Sequence, residues 1–242
     1  MSESAEQSTQ NFILSNLPKV EYERILPHLE PVKLSLGDFI YHSEQAIEYV
    51  YFPSSGMISI TSCTAEGHSV EIGAVGKEGM AGIDVLMNVD FSLNESIVQI
   101  PGDGFRMKKE FVRKEFKKGG AFQDLLMRYL HTFLVQASRG TVCNAIHTIE
   151  KRFAKWLLES RDRVESDQLD LTQEFIATML GANRPSVSVV ANALQAAGLI
   201  KYRRGKITIL DSQGLEDTAC ECYEIVKREY ELYRNGDRAA GE

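Results

Sequence analysis

Residues 172–209 constrain the fold most, because two helix patterns and a hairpin pattern follow one another there. Thr172 is a good N-cap for a short helix, QEFIATML, whose apolar residues recur at helical spacing. Gly181 can adopt the positive φ of a tight turn, and Asn183 can cap a second helix with Pro185 in its first turn. The second helix has a four-residue apolar face: Val187, Val190, Ala191 and Leu194. The order helix, glycine turn, helix predicts a helix-turn-helix unit.

A basic hairpin pattern follows the second helix. LIKYRR and ITIL flank Gly205, which predicts a two-stranded wing with basic residues at its tip. The chain carries a net charge of −7, yet residues 182–209 contain no Asp or Glu. The basic residues of this segment are Arg184, Lys201, Arg203, Arg204 and Lys206. Because DNA responds to local charge, this patch favours DNA binding over a structural helical hairpin with a solvated surface.

The winged helix-turn-helix predicts a role for each polar residue. We expect the second helix, residues 184–197, to enter the major groove with Arg184 donating to guanine, a contact worth about 1–3 kcal/mol. Ser186 and Ser188 can bind bases or phosphates. The remaining predicted DNA contacts are Thr172, Gln173 and Asn183 at the helix starts, and Arg203, Arg204 and Lys206 on the wing.

The N-terminal half is rich in strand patterns. After a short helical opening come VKLSLGDFIY, YVYFPSSGMISITS, SVEIGAVG and ESIVQIPGDGFRM, separated by turn residues. Short strands at regular spacing predict an antiparallel sandwich or roll.

Helical periodicity replaces this pattern beyond residue 107. We predict a charged helix over residues 108–116, a break at 117–120, a long helix, and another helix that begins near Ile149. The long helix has a broad apolar stripe, which is typical of core packing or of a dimer seam. The predicted dimer-interface residues on it are Phe122, Leu126, Tyr129 and Phe133.

The four cysteines, Cys63, Cys143, Cys220 and Cys222, form no CxxC pair, and no histidine lies at zinc-finger spacing from them. We therefore predict no metal site and reduced thiols. The CxC pair at residues 220–222 could sense redox state or a metal, but helical spacing would point its thiols in different directions. The polar N-terminus MSESAEQSTQ and the lack of a long apolar window predict a cytoplasmic protein with no membrane partner.

Three stretches resemble the CRP/FNR family of bacterial transcription regulators: YVYFPSSGMISI, CNAIHTIEKRFAKWLL and the segment from residue 171 to residue 211. The resemblance implies an α+β chain with three parts. These are an N-terminal β-roll, cyclic-nucleotide-binding-like sensor domain (residues 1–118), a dimerisation helix (119–145) and a C-terminal winged helix-turn-helix domain (146–242). It also implies a homodimer on a pseudo-palindromic site, with Arg184 at the position of the family's base-reading arginine.

The chain departs from the family pattern in two places. Pro185 and Val189 replace a Glu and a second Arg of the reading helix. In the sensor, Ile83 replaces the ribose-binding Glu, and residues 79–100 contain no Lys or Arg for a phosphate. Glycine amides could bind an effector there, so Gly79, Gly82 and Ile83 form the predicted effector pocket, but we expect cAMP not to bind tightly because a buried phosphate needs a cation.

No cofactor is predicted. The iron–sulfur branch of the family needs an N-terminal cysteine cluster, and no cysteine precedes Cys63. A haem would need a ligand, and His42 and His68 are isolated histidines. No enzyme is predicted either, because no nucleophile–base pair is evident and Asp167 and Asp170 are typical of a solvated loop.

The sequence therefore predicts a dimeric, double-stranded-DNA-binding transcription regulator. RNA polymerase and an unidentified small-molecule effector remain open as further partners. The alternative is a ligand-binding regulatory module whose winged helix mediates protein–protein contacts.

Overall fold

The structure, a computed structural model, describes residues 10–236. The helices are α1 (Phe12–Ser15), α2 (Lys19–Ile25), α3 (Lys109–Lys117), α4 (Ala121–Ile146), α5 (Ile149–Val164), α6 (Gln173–Met179), α7 (Arg184–Ala196), α8 (Ser212–Thr218) and α9 (Cys222–Asn235). The strands are β1 (Glu30–Leu34), β2 (Phe39–Tyr41), β3 (Tyr49–Pro53), β4 (Met57–Cys63), β5 (Ser69–Val75), β6 (Glu95–Ile100), β7 (Gly102–Lys108), β8 (Gln168–Asp170), β9 (Ile200–Arg203) and β10 (Lys206–Ile209). Two 3-10 turns cover Leu26–His28 and Ile83–Met87.

The chain divides into two compact units. The N-terminal unit contains residues up to Ile60 together with Ala74–His131. The C-terminal unit contains Thr61–Gly73 and the chain from Thr132 onward. The boundary therefore falls within the long helix α4.

Strands β1 to β7 form two sheets, in the orders β1-β7-β3 and β2-β6-β4-β5. Strand β7 pairs antiparallel with both β1 and β3, which places Phe105 between Pro31 and Phe52. Position 104 has room only for glycine, because a Cβ there would lie 2.6 Å from the Phe52 carbonyl oxygen. The predicted antiparallel sheet architecture, the long helix and the α+β class are confirmed.

The predicted break before the long helix contains Gly119 and Gly120, with φ of +79° and +85°. Helix α4 then begins on the carboxylate of Glu21, which accepts hydrogen bonds from the backbone N–H of Ala121 (3.1 Å) and Phe122 (2.9 Å). A carboxylate at a helix N-terminus satisfies free N–H groups and interacts favourably with the helix dipole. This contact ties α2 to α4.

The residues predicted as the dimer seam of α4 are core residues of the chain itself. The exposed fractions are 1% for Phe122, 0% for Leu126 and Tyr129, and 7% for Phe133. A side chain buried in its own chain has no area left to offer a second copy, so the assignment of these four residues to an interface is corrected. The helical period revealed an apolar stripe but not what covers it.

Helix α5 organises the C-terminal unit, where it contacts α7, α8, α9 and β8. Its residues Phe153, Leu157 and Leu158 are fully buried. The unit's sheet has the order β8-β10-β9, and β8 is a strand that the sequence did not predict. Asp170, which we assigned to a solvated loop, lies in β8 opposite Lys206 of β10. A three-residue strand has too little pattern to be distinguished from a loop.

Candidate nucleic-acid interface

The helix-turn-helix unit is built by its own local signals. Thr172 caps α6 by accepting from the Phe175 N–H (3.2 Å), and Asn183 caps α7 by accepting from the Ser186 N–H (2.9 Å). Gly181 lies between them with a φ of +56°. Helices α6 and α7 pack together, and the predicted apolar face of α7 is buried. The two caps and the turn thus position the start of α7.

Arg184 is the first residue of α7, and its side chain is 66% exposed. Its Nε lies 4.0 Å from a carboxylate oxygen of Glu174, whose side chain is 76% exposed. An ion pair this long and this exposed contributes little free energy. The guanidinium is therefore held near the start of α7 yet remains able to bind another partner.

Ser188 and Gln173 bind each other. The Ser188 hydroxyl lies 2.6 Å from Gln173 Oε1 and 3.0 Å from the Arg184 carbonyl oxygen, and it donates to both. The single hydroxyl proton is shared between the two acceptors. Because Gln173 belongs to α6, its bond with Ser188 links α7 to α6. Ser186, two residues earlier on α7, is half-buried.

The outward side of α7 also contains an apolar residue. Val189 is 69% exposed, although most valines in the chain are buried or half-buried. Asn192 follows it on the exposed side of the helix. Sequence reasoning treated Val189 only as the loss of a polar contact, whereas the structure exposes its methyl groups on the outward side of α7.

The wing is a tight hairpin of β9 and β10. Arg204 and Gly205 form its tip with φ of +51° and +77°, the pattern of a two-residue type I′ turn. The Gly205 carbonyl oxygen accepts from the Leu171 N–H (2.7 Å), which anchors the tip beside β8. Arg203, Arg204 and Lys206 are all exposed.

Tyr202 fixes the wing from its inner side. Its N–H donates to Gln195 Oε1 (2.8 Å) and its hydroxyl donates to the Leu171 carbonyl oxygen (3.1 Å). Burial raises the pKa of Tyr202, so its hydroxyl remains a donor at neutral pH. The wing is thereby joined both to α7 and to the strand before α6.

Two acidic residues border the acid-free segment in space. Asp170 lies 3.6 Å from the Lys206 ammonium, and Glu174 faces Arg184. Both precede residue 182, so a count along the sequence did not reveal them. The basic surface formed by Arg184, Arg203, Arg204 and Lys206 therefore has carboxylates at its edge.

The glycines of the predicted effector pocket have a packing role. A Cβ on Gly79 would lie 2.1 Å from the Tyr129 ring, and one on Gly82 would lie 2.7 Å from the Tyr41 hydroxyl. Gly79 and Gly82 therefore allow aromatic side chains to approach the backbone, while Ile83 begins a 3-10 turn. His42 stacks on Phe39, and His68 is an exposed residue near Glu66.

The thiols of Cys220 and Cys222 do not diverge as we expected. Cys220 precedes α9 and Cys222 is its first residue, so helical spacing does not relate them. Both sulfurs lie in one group with Cys143 and His147 at the end of α4. The search for CxxC pairs did not reveal this group. The available signal was the four-residue spacing of Cys143 and His147, which places both side chains on one face of a helix.

The comparison with known proteins starts from the C-terminal unit. Residues 151–218 match the Crp-like helix-turn-helix domain. The described residues contain no helix long and apolar enough to cross a membrane. No curated protein matches the chain in sequence.

Solved structures of the same fold cover most of the chain. A putative transcriptional regulator of the CRP/FNR family from Eubacterium rectale is 21% identical, with a TM-score of 0.67 over 85% of this chain and 96% of its own. FixK2 from Bradyrhizobium japonicum is 17% identical, with a TM-score of 0.69 over 79% and 98%. The c-di-GMP-responsive global regulator CLP of Xanthomonas campestris is 18% identical, with a TM-score of 0.66 over 79% and 99%.

These similarities confirm the predicted resemblance to the CRP/FNR family in the helix-turn-helix domain and in the fold. Of these proteins, the one from Eubacterium rectale is named as a putative transcriptional regulator and CLP as a global regulator.

Proposed function

We propose that this chain binds double-stranded DNA in a sequence-specific manner as a homodimer and thereby regulates transcription. The observation that carries the proposal is the start of α7, where the exposed Arg184 lies on a capped and braced helix. An exposed arginine at the N-terminal end of such a helix can donate bidentately to O6 and N7 of guanine. Residues 184–197 are then the recognition helix.

Two further residues of α7 are proposed to touch bases. Val189 offers its methyl groups to the C5-methyl of thymine, a contact that needs no hydrogen bond. Ser186 is placed one turn away to bind a base or a phosphate. The expected readout therefore combines one guanine with a neighbouring thymine in each half-site.

The wing and the helix starts are proposed to bind the DNA backbone. Arg203, Arg204 and Lys206 bring positive charge without a fixed partner geometry, which suits phosphates. Binding DNA would also draw Lys206 away from Asp170, at little cost because the pair is exposed. Thr172, Gln173 and Asn183 hold the two helix N-termini, whose free N–H groups favour an anion.

The proposed dimer uses the exposed side of α4. The residues at positions 127, 131, 134, 138, 141 and 145 are exposed and recur at alternating spacings of three and four. Among them, Met127 is 50% exposed and Leu134 is 62% exposed. A stripe with this repeat is the pattern by which two helices pack in a coiled coil.

The proposed DNA contacts and dimer contacts do not require a bound effector. Arg113 and Lys109 already have partners beside the 3-10 turn at residues 83–87. Arg113 donates to the Val85 and Val89 carbonyl oxygens, and both side chains pair with Asp90. We therefore expect cAMP not to bind tightly, and RNA polymerase remains the proposed downstream partner of a DNA-bound dimer.

The test is binding of the intact chain to fragmented genomic DNA in the presence of excess competitor DNA at fixed salt. Enrichment of fragments that share one motif supports the proposal. If no fragment is enriched at any salt concentration, the proposal fails, and capture of a protein through the basic surface becomes the better account.

A further inference from the structure

The end of α4 and the start of α9 bring four potential metal ligands together. The Sγ atoms of Cys143, Cys220 and Cys222 and a ring nitrogen of His147 all lie within 4.8 Å of one another. The three cysteines are 3%, 4% and 0% exposed, and the His147 side chain is 11% exposed. Thiolate sulfur and imidazole nitrogen are the ligands that zinc takes in structural sites.

The local structure explains how the ligands meet. Cys143 and His147 lie four residues apart, and the His147 N–H donates to the Cys143 carbonyl oxygen (3.1 Å), so both side chains project from the same side of the helix end. Cys222 begins α9, and the turn before it places Cys220 beside Cys143.

Two of the separations between ligand atoms are close to those around a single tetrahedral ion. Cys143 Sγ and Cys220 Sγ are 3.5 Å apart, and Cys222 Sγ and His147 Nδ1 are 3.9 Å apart. Zinc with about 2.3 Å bonds to sulfur and about 2.0–2.1 Å bonds to nitrogen has ligand-to-ligand separations of roughly 3.6–3.8 Å. A sulfur–sulfur distance of 3.5 Å is far longer than the roughly 2.05 Å of a disulfide bond.

The surroundings also fit a metal. His147 Nδ1 faces the sulfurs, while its Nε2 lies 3.3 Å from a carboxylate oxygen of Glu221. A carboxylate on the second ring nitrogen orients a ligating histidine and fixes its tautomer. Lys155, whose ammonium pairs with Glu159 (2.9 Å), lines the same small cavity as Cys143.

We propose that Cys143, His147, Cys220 and Cys222 bind one zinc ion in a structural site. Four protein ligands and burial leave no open position for a substrate, which is the arrangement of structural rather than catalytic zinc. A multinuclear iron–sulfur cluster is disfavoured, because ligand atoms this close converge on one point. The ligands flank residues 148–219, so the ion closes the winged helix-turn-helix at its base and removes a long loop from the unfolded chain.

The first test is the metal content of the intact, reduced chain purified from zinc-supplemented cells. We expect one zinc per chain, and loss of most of it in Cys143→Ser and Cys222→Ser. The exposed Cys63 lies outside the group, so Cys63→Ser is the matched control and should keep its zinc. Substoichiometric zinc in the unmutated chain, iron with sulfide, or a Cys143–Cys220 disulfide in place of metal would overturn the proposal.

A second test does not depend on the folding of ligand variants. Cobalt titrated into the metal-stripped, unmutated chain should give the visible bands of a tetrahedral thiolate site, bleached by one equivalent of zinc. Glu221→Gln, a change at a mostly exposed side chain, should weaken zinc affinity by about 10–100-fold in competition with a chelator. Octahedral cobalt spectra or unchanged affinity in Glu221→Gln would contradict the geometry.

The site also predicts a shift in stability. Chelation should lower the Tm of the unmutated chain, and added zinc should restore it, because a metal that binds only the folded state stabilises it. A Tm that does not respond to chelator or zinc would contradict a structural role. Neither zinc binding nor the Tm shift depends on DNA binding, so this proposal and the proposed function can fail separately.

Discussion

At the scale of single residues, the proposed DNA interface depends on the difference between reading a base and holding a phosphate. Arg184 begins the recognition helix, whereas Arg204 lies at the tip of the wing. Both are exposed arginines, and only their positions distinguish the roles proposed for them.

Arg184→Ala should weaken binding to the preferred DNA site by about 5- to 150-fold per half-site, because each bidentate contact with guanine is worth about 1–3 kcal/mol. Binding to random DNA should weaken much less. Fluorescence anisotropy with both DNAs at one salt concentration measures the difference.

Arg204→Ala is the matched control for this prediction. It should weaken binding to both DNAs alike and reduce the salt dependence of binding by about one counterion per protomer. Equal losses on both DNAs in Arg184→Ala would assign Arg184 to the backbone and remove its role in specificity.

Gly79 tests the packing role given to the predicted effector glycines. Gly79→Ala should reduce the free energy of unfolding by about 1–3 kcal/mol, because its Cβ would lie 2.1 Å from the Tyr129 ring. Gly140→Ala, with its nearest neighbour at 3.9 Å within α4, should instead increase it by about 0.5–1 kcal/mol. Denaturant unfolding measures both, and a neutral Gly79→Ala would show that the ring moves freely.

At the scale of secondary-structure elements, α4 has two faces with different roles. Phe122, Leu126, Tyr129 and Phe133 pack into the chain, and a second stripe that contains Met127 and Leu134 is exposed. The sequence revealed the apolar character of the helix, but both stripes contain large apolar residues. Only tertiary packing decides which of them is buried.

Leu134→Glu should convert the proposed dimer, with twice the 27.1 kDa mass of the chain, into monomers. The reason is that two carboxylates would face each other within the seam between the two helices. Val20→Glu, which changes a residue 68% exposed on α2, should leave the dimer intact. Sedimentation measures the mass, and a dimeric Leu134→Glu would place the interface elsewhere.

Features that depend on a few neighbouring residues could be predicted from the sequence, whereas features that the fold assembles from distant residues could not. Thr172, Gly181 and Asn183 specify their helix ends within a few residues, so the helix-turn-helix was predictable. Strand β8 was not, because three residues carry little pattern. The Cys143–Cys222 group was also missed, since its halves lie on either side of residues 148–219 and only the fold brings them together.

At the scale of the whole molecule, charge is distributed unevenly. The chain has a net charge of −7, while its basic surface lies on the recognition helix and the wing. A local basic surface on an acidic chain favours DNA binding through the winged helix-turn-helix.

The same uneven charge predicts the response to cyclic nucleotides. Neither cAMP nor cGMP should shift the Tm at micromolar concentration, because residues 79–100 provide no cation and Arg113 is already paired. Thermal unfolding with and without nucleotide measures this. A clear increase in Tm would mean that backbone amides alone bind the phosphate.

The most direct measurement of the central claim is selection of binding sites from random double-stranded DNA by the intact chain. We predict a pseudo-palindromic motif whose half-sites lie about 10–10.5 base pairs apart, or a multiple of that, each with a guanine whose enrichment disappears in Arg184→Ala. Selected DNA without two-fold symmetry, or a motif that Arg184→Ala leaves unchanged, would contradict the account.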